Sequence, residues 1–308
     1  MLTRRTLVAA GVAVATTRLH AAPLPDMPPG ACDCHVHIIG PQDRYPMVAD
    51  RAYTPGQSTV GELLALRKRL GLSRTVLVQP SFYGTDNGSL LDALGQLGDT
   101  ARGIAVLEPN VTDDVLKRLD KAGIRGVRLN IETGGGRDPR DITRPLGAFA
   151  KQIAPLGWHI QIYAALSVIA RVAPDVANLA VPVVFDHFGM PDAALGPDQP
   201  GFPVLLDLVR SGKAYVKLSA PYRISKQPGY ADVTPIARAL IAAGPERMVW
   251  ASDWPHTDHA PGKGPAEISP FRAVDDSGVL DLLATWCPDP AARRTILATT
   301  PQRLYRFS

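Results

Sequence analysis

The sequence predicts an α/β protein of the (β/α)8 TIM-barrel class, and three observations lead there. Eight short apolar, β-branched runs recur along the chain, segments with helical spacing separate them, and 308 residues suit eight such units in one domain. Near-continuous apolar strands that alternate with helices indicate a parallel sheet covered on both faces. No Gly-rich dinucleotide fingerprint opens the first unit, which argues against an open doubly wound sheet.

The eight runs are 31–38, 75–79, 103–107, 126–131, 158–163, 181–185, 214–218 and 248–251. Between them, 58–70 carries apolar residues at Val60, Leu63, Leu64, Leu66 and Leu70, the spacing of one helix face, and 113–122 reads the same way. Ahead of the barrel, residues 1–22 have a basic start, an apolar run over 7–15 and small residues at Ala21 and Ala22. That pattern predicts a secretory signal, too short for a membrane span, so stable membrane insertion is not expected. Arg4-Arg5 resembles a twin-arginine signal, which implies export of a folded protein to the periplasm. A linker with Pro23, Pro25, Pro28 and Pro29 follows, and 23–308 reads as a single domain.

Composition narrows the partners. The 33 basic and 29 acidic residues give a formal charge of +4, and they are scattered, so no nucleic-acid footprint is present. A small anionic molecule is the partner this charge suits. With 45% hydrophobic residues the chain can bury a large core. The three cysteines, Cys32, Cys34 and Cys287, are too few for a disulfide framework and read as small core thiols.

Barrels of this kind place their chemistry at the C-terminal strand ends, so the polar residues there matter most. His35 and His37 lie two apart on the first strand and point to one face. Converging imidazoles can hold a metal or donate to one oxygen. His187 ends the sixth strand and Asp253 the eighth, which neighbours the first in a closed barrel. One H-x-H pair is weak evidence; three histidines and an aspartate at strand ends one, six and eight form a candidate site.

The stretches Asp33-Cys34-His35-Val36-His37, Asp186-His187-Phe188-Gly189, Trp250-Ala251-Ser252-Asp253-Trp254-Pro255 and the tail 300–307 resemble the amidohydrolase superfamily, in its amidohydrolase 2 branch. Tyr53-Thr54-Pro55, Gln79-Pro80-Ser81, Gly126-Val127-Arg128, Tyr163 and Leu218-Ser219 with Arg223 are similar to the 2-pyrone-4,6-dicarboxylate lactonases and related sugar and muconolactone lactonases. The resemblance implies hydrolysis of a small lactone, with His35, His37 and His187 polarising the carbonyl and Asp253 activating water. It also implies substrate contacts from Ser81, Arg128, Tyr163 and Arg223, and Tyr53 is a further candidate. Ester hydrolysis builds charge on the carbonyl oxygen and needs a base for the water, so donors and a carboxylate suit it.

Two departures bear on the substrate. Met190 stands where the pyrone-dicarboxylate enzymes carry an arginine, and Gly134-Gly135-Gly136-Arg137 alters the region of another. A monoanionic or neutral lactone is therefore expected as readily as a dianion. Tyr163 and Arg128 with Asn130 stand where binuclear relatives have metal ligands, so a binuclear centre is not expected. Either no cofactor is needed, or one divalent ion, zinc above others, is held by His35, His37, His187 and Asp253. His256 and His259 read as loop histidines, with His256 within reach of substrate; His159 reads as structural. A zinc-dependent decarboxylase, a lactone isomerase and a non-catalytic sugar-acid binder are the alternatives.

Overall fold

In the computed structural model, which describes residues 27–308, eight parallel strands form one sheet in sequential order, each followed by a helix. The signal expected over 1–22 lies outside the described residues. The strands are β1 Cys32–Val36, β2 Arg74–Val78, β3 Ala101–Ala105, β4 Ile124–Asn130, β5 His159–Tyr163, β6 Val183–Phe185, β7 Ala214–Ser219 and β8 Met248–Ala251. The circle closes just past the ends of β8 and β1, where Val36 bridges Trp254, His37 N donates to Trp254 O at 2.8 Å, and Asp253 N donates to His35 O at 3.0 Å. This is the expected (β/α)8 barrel.

Most strand limits fall within two residues of the sequence reading, and the differences have local causes. Expected at 103–107, β3 stops at Ala105 because the Asn87 side chain donates to Val106 O at 2.9 Å and accepts from Val106 N at 3.1 Å. Those are the groups a longer ladder would have paired. Pro182 has no N–H to give, and β6 starts after it. The first helix, α1 Val60–Leu70, begins at a capping box between Thr59 and Glu62 and ends at Gly71 in the left-handed conformation at φ 70°.

The strands divide two cores. Val36, Leu77, Val127, Ile160, Val183, Val216 and Met248 point outward and pack with helix residues such as Leu63, Leu94, Leu146 and Val172. Cys34, Val76, Val78, Ile104, Val184, Tyr215 and Val249 fill the interior, and the C-terminal residues Leu304, Tyr305 and Phe307 join that inner cluster. His159 stacks edge-on against Tyr305 within 5.4 Å, which bears out its structural reading. All three cysteines are free and buried, as expected. Among the described residues no helix is long and apolar enough to cross a membrane.

Candidate active site

A bulge in β1 aims the histidines. Asp33 pairs with Thr75 and Val36 with Leu77, so three steps on β1 match two on β2. One extra residue there brings His35 to the interior beside Cys34, and an unbroken period of two would have put them on opposite faces. His37 follows, two residues on, and faces the same way. His187 and Asp253 leave their strands with φ of 49° and 68°, a region that costs about 1–3 kcal/mol for a residue with a side chain. Burial of both at 1% exposure holds them in that geometry.

The four side chains meet. Asp253 Oδ1 lies 3.6 Å from His35 Nε2, 3.7 Å from His37 Nε2 and 3.9 Å from His187 Nε2, and it makes no hydrogen bond. Its other oxygen, Oδ2, is engaged: Tyr222 donates at 2.8 Å and Arg223 Nε at 2.8 Å, and Arg223 Nη2 stands against it as an ion pair at 2.7 Å. Arg223 thus clamps one edge of the carboxylate and leaves the other facing three imidazoles. Burial alone would raise the Asp253 pKa, but Arg223 and the surrounding rings outweigh it and hold the carboxyl well below the usual range. Burial pushes His37 down to about 4 and His187 to about 3, and takes His35 well below its ordinary value. At neutral pH the site therefore holds an ionised carboxylate among neutral rings.

A second buried layer supports this one. Asp186 accepts from Arg128 Nη2 at 3.2 Å and from Gln161 Nε2 at 3.0 Å. Lys217 donates to Gln161 Oε1 at 2.7 Å and sits 3.4 Å from Asp186 Oδ1. Asp186, Gln161 and Lys217 were not assigned roles from the sequence. The signal was a lysine inside the apolar run of β7, which needs buried acceptors from neighbouring strands.

Above the quartet opens a cavity of about 350 Å3, lined by His37, His187 and Asp253 together with Tyr53, Ser81, Arg128, Tyr163 and Arg223. All five expected substrate-contact residues are on its wall. Asn130, Thr133, Thr257, Asp258 and His259 complete it. Tyr53 is fixed by donating to Thr257 Oγ1 at 2.9 Å, and Tyr163 stands edge-on to His187, 4.9 Å between centroids. Both histidines lie in the loop after β8, as expected, and only the reach of His256 to substrate departs from the sequence reading. His256 is buried behind Asp253, within 2.8 Å of Asp276 and 3.2 Å of the Tyr222 hydroxyl, and does not line the cavity. His259 is exposed at its mouth. Arg137 pairs with Glu132 at 2.9 Å, and Met190 packs on the outer core.

Residues 32–307 match the amidohydrolase family profile Amidohydro_2. The chain belongs to the amidohydrolase family. It is similar to the 4-sulfomuconolactone hydrolase of Hydrogenophaga intermedia, 35% identical over 280 residues, covering 91% of this chain and 89% of that one. The 2-pyrone-4,6-dicarboxylate hydrolase of Comamonas testosteroni is 34% identical, covering 91% of each. A solved structure from Acinetobacter baumannii with citric acid bound superposes with a TM-score of 0.77 at 27% identity, covering 90% of this chain and all of that one.

In this amidohydrolase, His35, His37 and Asp253, or His35, Asp186 and His187, bring ligand atoms within 4.8 Å of one another. Imidazole and carboxylate are suitable zinc donors, and the unpartnered Asp253 Oδ1 is the kind of atom a cation would satisfy. His35 does not fit as it stands. A ligand needs a bare Nε2, yet Nε2 faces His37 Nε2 at 3.3 Å, and the Lys217 ammonium faces Nδ1, also at 3.3 Å.

Proposed function

We propose that this amidohydrolase opens a small lactone that carries one anionic group, with Asp253 as general base. The observation that carries this reading is Asp253 Oδ1, buried, ionised, free of hydrogen bonds and encircled by three ring nitrogens at 3.6–3.9 Å on the cavity floor. The chain's similarity to two lactone hydrolases supports it.

In the proposed reaction, water donates one hydrogen to Oδ1 while its oxygen attacks the lactone carbonyl carbon. The carbonyl oxygen gains charge and takes hydrogen bonds from the imidazole cluster, where preorganised donors in a dry site are worth several kcal/mol. The C–O ring bond then breaks, and the departing oxygen takes the proton from Asp253, leaving a hydroxy acid and the original carboxylate. His37 Nδ1 donates to Val78 O at 2.7 Å, which leaves the Nε2 of the neutral ring bare.

Charge supports a monoanion. Arg128, Arg223 and Lys217 stand against Asp186 and Asp253 in the buried cluster, an excess of one positive charge. Tyr53, Ser81, Asn130 and Thr133 offer neutral hydrogen-bond partners for the rest of the ring. The test is proton release from a panel of sugar, muconate and pyrone lactones. The reading expects turnover of at least one monoanionic lactone, lowered about 10³-fold in kcat by Asp253→Asn. Silence across the panel, or full activity in that variant, would overturn it.

A further inference from the structure

We infer that Lys217 is a positioning residue that fixes the tautomer of His35, making its Nε2 a hydrogen-bond donor and closing the site to a metal ion. This deepens the proposed hydrolysis by fixing the hydrogen-bond directions of the imidazole cluster on which that reading rests.

An ammonium group can donate but never accept. Lys217 Nζ lies 3.3 Å from His35 Nδ1, donates to Gln161 Oε1 at 2.7 Å and stands as an ion pair 3.4 Å from Asp186 Oδ1. Nδ1 of His35 must therefore carry the lone pair, and the neutral ring keeps its hydrogen on Nε2. The next contact agrees independently. His37 spends its Nδ1 hydrogen on Val78 O, so its Nε2 is an acceptor, and the 3.3 Å contact between the two Nε2 atoms requires the hydrogen on His35. The chain runs one way, from Lys217 through His35 and His37 to a backbone carbonyl.

The alternative state is also built in. Asp186 Oδ1 lies 3.3 Å from His35 Nδ1 but makes no hydrogen bond, and Asp253 Oδ1 makes none either. If the hydrogen moved to Nδ1, Asp186 could accept it, and His35 Nε2, His37 Nε2 and Asp253 Oδ1 would become three bare donors for a cation. A carboxylate that accepts from the far nitrogen of a histidine ligand orients the ring in this way. Lys217 blocks that state, because an Nδ1 hydrogen would point at its ammonium.

Two readouts independent of lactone turnover test this. Nitrogen-15 spectra of the native protein should show His35 with a protonated Nε2 and bare Nδ1, and the chelator-stripped protein should take up no stoichiometric zinc when titrated with zinc alone. Lys217→Met, of similar length and without a donor, should bind zinc at least tenfold more tightly than the native chain and lose the protonated-Nε2 signal. A protonated Nδ1, one tight zinc in the native chain, or unchanged zinc affinity in a folded variant would overturn the inference. Should the variant fail to fold, the native spectra and titration decide. A silent lactone panel with the expected spectra would leave this inference standing and sink only the hydrolase reading.

Discussion

The proposed base, Asp253, has its strength set by a neighbour. Arg223 occupies Oδ2 at 2.7 Å and is the largest influence opposing burial on the carboxyl. Arg223→Gln removes a full positive charge from a carboxylate at 1% exposure, so the Asp253 pKa should move upward from its depressed position. The ionised base then begins to disappear as pH falls through the new value. The acid limb of kcat/KM should shift to higher pH, with the variant losing at least about tenfold more activity at pH 5.5 than at pH 8. An acid limb that stays in place would show that Arg223 binds substrate without tuning the base. At this scale the quartet was legible because His35, His37, His187 and Asp253 all sit where strands end. Their supports were not: Gln161 and Lys217 lie within strands that read as apolar, and only the side-by-side pairing of β5, β6 and β7 brings them to Asp186.

Between elements, the seam where β8 meets β1 matters most. Asp33, buried on β1, accepts from Ser252 N at 3.0 Å and from Ser252 Oγ at 2.5 Å. Ser252 Oγ also accepts from Trp254 N at 2.9 Å. One hydroxyl thus satisfies groups on both sides of Asp253 and fixes its backbone in the left-handed region. Ser252→Ala would leave a buried carboxylate oxygen and a backbone N–H short of a partner, a cost of about 1–3 kcal/mol. Urea unfolding should show the free energy of unfolding fall by that amount, through a lower midpoint at constant slope. A loss under about 0.5 kcal/mol would mean the seam is held elsewhere. The apolar periodicity revealed which segments are strands and helices, since it reports burial. It could not reveal the β1 bulge, because an inserted residue leaves hydrophobic content unchanged and alters only direction. Strand ends escaped for a similar reason: Asn87 stops β3 from a distance of nineteen residues.

The whole barrel should fail in acid earlier than a protein without buried rings. Burial takes His37 down to about 4, His159 and His187 to about 3, and His35 well below the ordinary 6.5. Each of these rings is neutral when folded and free to protonate when unfolded, so each contributes stability that is fully present above pH 6.5 and lost as pH falls toward its folded value. Asp33 works the other way: burial raises it from 3.8 to about 6, so the folded chain binds its proton first and gains stability over that interval. Three of these histidines, His37, His159 and His187, against one aspartate leave the unfolded state ahead by two protons between about pH 6 and pH 4, a slope of about 3 kcal/mol per pH unit, and His35 acts in the same direction. Against a typical domain stability of about 5–15 kcal/mol, that slope brings unfolding near pH 4, before Asp186 and Asp253 protonate and remove their ion pairs. Denaturant titrations at pH 7.5, 5.5 and 4.5 check the slope, and His159→Gln, which changes a ring remote from the cavity, should reduce it by about one proton, or 1.4 kcal/mol per unit. Stability that stays flat from pH 7.5 to 4.5 would mean that the buried rings carry protons in the folded state, and the neutral imidazole cluster required for carbonyl polarisation and for the Lys217-directed chain would go with it.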